Sequence, residues 1–519
     1  MRLTPARRLL AGIGVVGALV ATGALPAAAA PTAKLGLYMP DHTVAVGAPG
    51  VIDGAVLYAD EPTALVDAAV IFDFADLAGV AEVVPEDGIG PDCTKTSAHE
   101  LRCTRFETWA DPFGAGGDFN VVIRGVAGGP EGTGTLKTTL EVSGYDSVTT
   151  ESTVRVGTGV DLAGGPDTDV SVAPGGAFSH HVSVKNAGDA TIEGFNAIFD
   201  NNYAIRAAKK FTNCTYVGDE LRTCAFDVTI EPGETFQGDL PYRLGADTEA
   251  PGHQVGFLTL LTRAEFEDFS GYVKQFGADI GKPGTDGTFE LTAAPANLAR
   301  RGAQADVDPE NNWSGVNITV TGKNGYDLVA AGARITGNVG DVADVDLGFR
   351  NDGPAAADSG RLGSNVTLVD VTVPKGTTVV EVSDQCVPKP ANDAGEYGEP
   401  GEPGAPVYRC FPGDLVTPGE TVGFPFRLRI DQAQPERGLV TINAKCECEG
   451  RQSDINSAND TAPIEVNAAG GGTGGGGDDG GLPITGPAAG LIAGAGGLLL
   501  VAGLGGVVVA WRRRTRFVA

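Results

Sequence analysis

The stretch that decides the fold is Cys214-Thr215-Tyr216-Val217-Gly218-Asp219-Glu220-Leu221-Arg222-Thr223-Cys224-Ala225-Phe226, with Pro232-Gly233-Glu234-Thr235 shortly after it. Nine residues separate its cysteines, and nine also separate Cys93 from Cys103. The flanks repeat as well. Cys93-Thr94 leads to Leu101-Arg102-Cys103 and Phe106, and Cys386 leads to Tyr408-Arg409-Cys410-Phe411. Pro418-Gly419-Glu420-Thr421 follows the third pair, whereas the first has only a loose counterpart, Asp111-Pro112-Phe113-Gly114. Upstream, Asn186-Ala187-Gly188-Asp189 matches Asn351-Asp352-Gly353-Pro354. Downstream, Asp306-Val307-Asp308-Pro309-Glu310-Asn311 matches Asp454-Ile455-Asn456-Ser457-Ala458-Asn459.

Between these landmarks Val, Thr, Phe and Ile alternate with polar residues, as in Val182–Val184 and Val345–Leu347–Phe349, and helical periodicity is scarce. Alternation of period two marks half-buried strands. The pattern predicts an all-β chain of three tandem modules, at residues 30–156, 157–320 and 321–467, each of ordinary domain size. Strand, Asn-Gly turn, strand, cysteine hairpin, Pro-Gly turn and strand suit an Ig-like, Greek-key β-sandwich. The widely spaced Cys, Trp, Cys arrangement of antibody domains is lacking.

The even cysteine count of an exported chain reads as disulfides. The repeated spacing pairs Cys93 with Cys103 and Cys214 with Cys224, and the shared flanks pair Cys386 with Cys410, each bridge contributing about 2–3 kcal/mol by loop entropy. Cys446 and Cys448 are left to pair with each other at a bulge or turn; the alternative is a thiol or metal site. The modules resemble a conserved β-sandwich repeat of unknown function in bacterial surface proteins. That resemblance implies a wall or adhesin context and no activity.

The ends carry the most specific signals. Arg2, Arg7 and Arg8 precede an apolar run from Leu9 to Leu25, Pro26 breaks it, and Ala27 to Ala30 follow. This is the order of a secretory signal peptide, residues 1–29, cleaved after Ala29; the alternative is an uncleaved anchor. At the other end, Gly-rich 468–481 forms a flexible linker. Leu482-Pro483-Ile484-Thr485-Gly486 follows, then an uncharged apolar run with a transmembrane helix at 488–511, then Arg512, Arg513, Arg514 and Arg516. Residues 482–519 resemble the LPXTG sorting signal of Gram-positive, actinobacterial-type cell-wall proteins. The resemblance implies that a sortase thiolate attacks the carbonyl of Thr485, that Gly486 leaves as the amine, and that a peptidoglycan amine resolves the thioester. A plain membrane anchor with a coincidental pentapeptide is the alternative. The expected partners are thus a sortase and peptidoglycan, and the expected location is the cell wall, reached through a membrane-held precursor.

The formal charge is −29. Losing the seven arginines of the processed ends takes it to about −36. Such a surface repels nucleic acid, whose phosphates need clustered Lys and Arg. No cofactor or metal is expected. The runs Asp306, Asp308, Glu310, Asn311 and Asp454, Asn456, Asn459, Asp460 could offer calcium hard oxygens, but they depart from the EF-hand loop, and Asx turns explain them equally well. Gly398-Glu399-Pro400, Gly401-Glu402-Pro403 and Gly404-Ala405-Pro406 predict a stiff extended loop inside the Cys386–Cys410 bridge, able to touch a partner. Histidines are few: His42, His99, His180, His181 and His253. Of the adjacent pair, one ring should pack and the other face solvent. No G-x-S-x-G elbow or H-E-x-x-H motif is present, although triads are spatial and need no local motif. The preferred reading is a non-enzymatic stalk or adhesin meeting a host, matrix or neighbouring-cell ligand, with the first module as its tip. The alternative is an anchored hydrolase.

Overall fold

The structure is a computed structural model that describes residues 33–86, 91–112, 114, 116, 118–277, 279–292, 303–359, 367–390, 397–443 and 454–467. The segments expected to be a signal peptide (1–29), a flexible linker (468–481) and a sorting signal (482–519), together with Cys446 and Cys448, lie outside the described residues. Among the described residues no helix is long and apolar enough to cross a membrane.

The chain is all-β, with one α-helix among the described residues. Its buried apolar side chains fall into three clusters, within residues 37–156, 160–320 and 326–466. Each cluster lies between facing sheets, giving sandwiches 1, 2 and 3. Strand Thr421–Ile430 shows why: Phe424, Phe426, Leu428 and Ile430 are buried while Arg427 and Arg429 between them are exposed. A pleated strand sends successive side chains to opposite faces, so this sequence can only face one core.

All three sandwiches share one strand order. In sandwich 2 the first sheet runs Leu162–Gly164, Ala177–Asn186, Thr235–Leu244, Ile205–Ala207. The second runs Thr168–Val172, Trp313–Asn324, Ala250–Thr262, Ile192–Asn201, Glu220–Ile230, Cys214–Val217, Lys282–Pro283. Sandwich 3 repeats this with Leu328–Ala331, Val342–Asn351, Thr421–Ile430, Thr377–Val382 facing Ala333–Ile335, Thr461–Val466, Gly438–Ile442, Val369–Thr372, Val407–Cys410, Cys386–Pro388. Sandwich 1 has the second sheet as His42–Ala45, Val148–Val160, Gly132–Glu141, Thr63–Asp73, Glu100–Ala110, Asp92–Ser97. Its other layer is split. Val56–Ala59 pairs with Leu35–Tyr38, whereas Val51–Gly54 pairs with Asn120–Gly125, which in turn pairs with Ala81–Pro85.

The expected module limits at 156/157 and 320/321 fall inside strands Val148–Val160 and Trp313–Asn324. The first of these overruns has a use. Residues Thr158 to Val160 pair in parallel with Gln304–Asp306, so a segment of sandwich 2 extends a sheet strand of sandwich 1.

Candidate functional site

The repeated motifs turn out to be one device. Asn351 is fully buried. Its Nδ2 donates to the carbonyls of Ala355 (2.8 Å) and Val416 (3.0 Å), and its Oδ1 accepts from Gly353 N (3.1 Å) and Asp327 N (3.2 Å). Its backbone is held by the Pro-Gly turn: Asn351 N donates to Glu420 O and Gly419 N donates to Asn351 O. Asn186 does the same, donating to Ala190 O (2.9 Å) and Ile230 O (2.8 Å) and accepting from Gly188 N (3.1 Å). Gly233 and Glu234 take the places of Gly419 and Glu420. Glycine at 353 is required by space, since a Cβ there would lie 2.4 Å from Asp327 N.

The Asp/Asn runs belong to the same device. Asp306 accepts Leu162 N on Oδ2 (2.6 Å) and Asp308 N on Oδ1 (2.8 Å), and Asp454 accepts Leu328 N and Asn456 N in the same way. Asn311 donates to Asp161 Oδ1 (3.0 Å), as Asn459 does to Asp327 Oδ1 (2.9 Å). In sandwiches 2 and 3 these oxygens pin the first strand to the segment before the last strand, with the aspartates in Asx turns. Among the described residues, no group of three or more His, Cys, Asp or Glu is arranged to hold a metal. Burial pushes the Asp306 carboxyl up to about 7. The two backbone N–H groups pull the other way, but burial, with Glu265 and Asp161 adding to it, outweighs them.

The hairpin cysteines form the three disulfides that their spacing and flanks predict, Cys93–Cys103, Cys214–Cys224 and Cys386–Cys410. Each joins residues in direct register at the margin of the second sheet. They differ in access. Cys103, Cys214, Cys224, Cys386 and Cys410 are fully buried, whereas Cys93 is partly exposed on a strand that faces solvent. Thiol–disulfide exchange needs a path to sulfur. Mild reduction of the native chain followed by alkylation and peptide mapping should therefore label Cys93 and Cys103 first. Equal labelling of all three pairs would contradict this.

The Gly-Glu-Pro loop is not a stiff extended arm. It turns back, with Glu402 N donating to Glu399 O and Gly401 at φ +74°, and it lies on the hairpin edge: Gly398 N donates to Pro388 O and Gly401 N to Cys386 O. Arg409 fastens its start, donating to Tyr397 Oη (2.7 Å) and to both oxygens of Asp370 (2.8 and 3.1 Å). His180 packs and His181 faces outward. Burial lowers the His180 imidazole to about 4, while His181 Nδ1 lies 2.8 Å from Asp239 Oδ1. The first residue of the pair is 1 % exposed. An open concavity of about 380 Å³ lies over Asp169, Ser171, His253, Asn317 and Thr319 of sandwich 2, with Asn317 Nδ2 donating to Asp169 Oδ1 (3.0 Å).

Sequence reasoning missed the helix Arg263–Gln275. Its signal was present. Thr262 and Glu265 form a capping box, with Thr262 N donating to Glu265 Oε2 (2.8 Å) and Glu265 N to Thr262 Oγ1 (3.4 Å). The helix belongs to sandwich 2 but grips sandwich 1. Asp268, buried, accepts from Thr43 Oγ1 and pairs with Arg155. Beyond it, Tyr272 stacks on Tyr38 (5.7 Å between centroids), and Phe276 packs on Tyr58 (5.5 Å). Burial pushes the Tyr38 phenol up to about 12, with Asp41 adding to the effect. Sandwich 1 also carries exposed apolar side chains, Phe106 at 78 % and Trp109 at 57 %, with Val66 on the neighbouring strand.

No family model matches the chain, and no curated protein does. Among solved structures, the crystal structure of Salmonella alpha-2-macroglobulin reacted with methylamine matches at 11% identity with a TM-score of 0.17, over 68% of this chain and 19% of that chain. This chain thus spans less than a fifth of that chain's length, and a likeness of that size carries no argument about function.

Proposed function

We propose that the chain is exported, fixed to peptidoglycan by a sortase at Leu482-Pro483-Ile484-Thr485-Gly486, and acts without catalysis as a stalk that presents sandwich 1 to a ligand outside the cell. The observation that carries this reading is the serial repetition of one strand order around three separate filled cores. Repetition in series gives reach, which a tethered binder needs and an enzyme does not. The end signals supply the anchor. The disulfides suit an oxidising space outside the cytoplasm. Sandwich 1 lies farthest from the anchor in the chain, and its exposed Phe106 and Trp109 suit a contact surface.

Thr485→Ala should remove the scissile carbonyl's recognition and move nearly all of the protein from the wall fraction to membrane or medium. Retention of the Thr485→Ala protein on purified peptidoglycan at the parent's level would refute the anchoring. Ligand capture by the exported chain, assayed beside hydrolysis of wall polymers, peptides and esters, tests the rest. Turnover lost on changing a single His or carboxylate would replace the stalk with an anchored hydrolase.

A further inference from the structure

The three cysteine pairs share a backbone geometry that exposes a docking position. Their Cα atoms are 4.0, 3.9 and 4.0 Å apart. So close an approach belongs to the non-hydrogen-bonded position of an antiparallel ladder, where the N–H and C=O of each residue point away from its partner. The outer cysteine therefore turns its amide and carbonyl off the sheet edge. In sandwich 2 that edge is filled: Gly284 N donates to Cys214 O (3.2 Å) and is shared with Phe211 O (3.1 Å), and Lys282–Pro283 pairs with Tyr216 and Thr215. In sandwich 3 it is filled again, by Gly401 N donating to Cys386 O (3.0 Å). The two fillers come from unrelated places in the chain, yet both read Xaa-Pro-Gly: Lys282-Pro283-Gly284 and Glu399-Pro400-Gly401. In sandwich 1, among the described residues, Asp92–Ser97 is the last strand of its sheet.

We propose that the edge Cys93–Lys95 of sandwich 1 binds, from a separate molecule, an extended peptide of the form acidic residue–Pro–Gly by strand addition. The glycine N–H meets the Cys93 carbonyl, as Gly284 and Gly401 meet its two siblings. Both siblings place glycine here, one where a Cβ would lie 2.2 Å from the Lys210 backbone and one at φ +74°. The extended course is that of Lys282–Pro283, whereas in sandwich 3 Glu399-Pro400-Gly401 enters a turn; in both, proline has no N–H to leave stranded. The acidic residue follows from charge. Lys95, opposite Leu101, holds the place of Tyr216, opposite Leu221, and the residue that faces Tyr216 is Lys282. With a lysine already on the sandwich 1 edge, a facing carboxylate supplies the complementary charge. The ladder register breaks between Lys95 and Ser97, which confines the docked strand to the same short length as Lys282–Pro283. Thr94 and Lys95 are exposed.

This inference rests on the reading of sandwich 1 as the binding end, and its test is independent of the anchoring. The probe is the synthetic peptide Gly-Glu-Pro-Gly-Glu-Pro, titrated calorimetrically into the exported chain. The expected result is saturable binding at one site. Lys95→Pro removes an outward amide without touching an inward one and should weaken binding by about tenfold or more. Lys95→Glu leaves the backbone intact; it should weaken binding of this peptide and favour Gly-Lys-Pro-Gly-Lys-Pro instead. Melting curves establish that each variant is folded. Absence of saturable binding by the parent chain, or parent-like binding by Lys95→Glu, would overturn the proposal. Either outcome would leave the wall-fraction result for Thr485→Ala untouched.

Discussion

Asn351→Ala should destabilise sandwich 3 by about 3–5 kcal/mol, since it strands several buried groups at about 1–3 kcal/mol each. The side chain bonds Ala355 O, Val416 O, Gly353 N and Asp327 N in a fully buried site. The loss also strands the Val416 carbonyl just ahead of the Pro-Gly turn, while the backbone bonds of residue 351 to Gly419 and Glu420 remain. Hydrogen exchange read by mass spectrometry in rising urea can follow each sandwich separately. Peptides from residues 326–466 should lose protection at lower urea, and peptides from sandwich 1 should not. A cost below about 1 kcal/mol would mean that the asparagine is replaceable and that the repeated motif has another purpose. Asn186→Ala should act in the same way on sandwich 2.

Arg155→Ala should uncouple sandwiches 1 and 2 at a cost of about 3–5 kcal/mol, the range for removing one partner of a buried ion pair. Among the described residues it leaves the buried carboxylate of Asp268 with Thr43 Oγ1 as its remaining side-chain partner. The double change Arg155→Ala with Asp268→Ala should be milder than Arg155→Ala alone, because the uncompensated charge goes with its partner. Small-angle scattering should show a wider distribution of angles between the two sandwiches in the single variant. Scattering curves identical to the parent's would show that Tyr38, Tyr58, Tyr272 and Phe276 hold the junction unaided.

What was legible in the sequence was whatever repeats locally. A nine-residue gap closing on a Leu-Arg pair gave the cysteine register, because a tight hairpin leaves few ways to place two opposed residues. Alternation gave the strands. The Asn-Gly and Pro-Gly-Glu-Thr motifs were visible as repeats, but their meeting was not, since Asn351 and Val416 are 65 residues apart. The calcium alternative arose for the same reason: Asp306 shows its oxygens in the sequence but not the Leu162 amide, 144 residues away, that occupies one of them. Arg155 and Asp268 are separated by 113 residues and lie in different sandwiches, so nothing local joins them. The helix Arg263–Gln275 was legible in principle through Thr262 and Glu265, and was masked by the strand pattern on either side. The Gly-Glu-Pro triplets misled because triplet composition speaks of polyproline geometry, whereas glycines at positive φ let the same residues turn.

One feature of the sheets bears on how such a chain would carry tension. In every sandwich the strand near the start lies parallel to the last one: His42–Ala45 on Val148–Val160, Thr168–Val172 on Trp313–Asn324, Ala333–Ile335 on Thr461–Val466. Parallel neighbours at the two ends of a domain are pulled in opposite directions along their own length when the chain is stretched. Their hydrogen bonds are then loaded in shear, all together, rather than peeled open one after another like a zipper. A chain stretched from its two ends would strain three such clamps in line, and each would have to fail as a whole before its core could open.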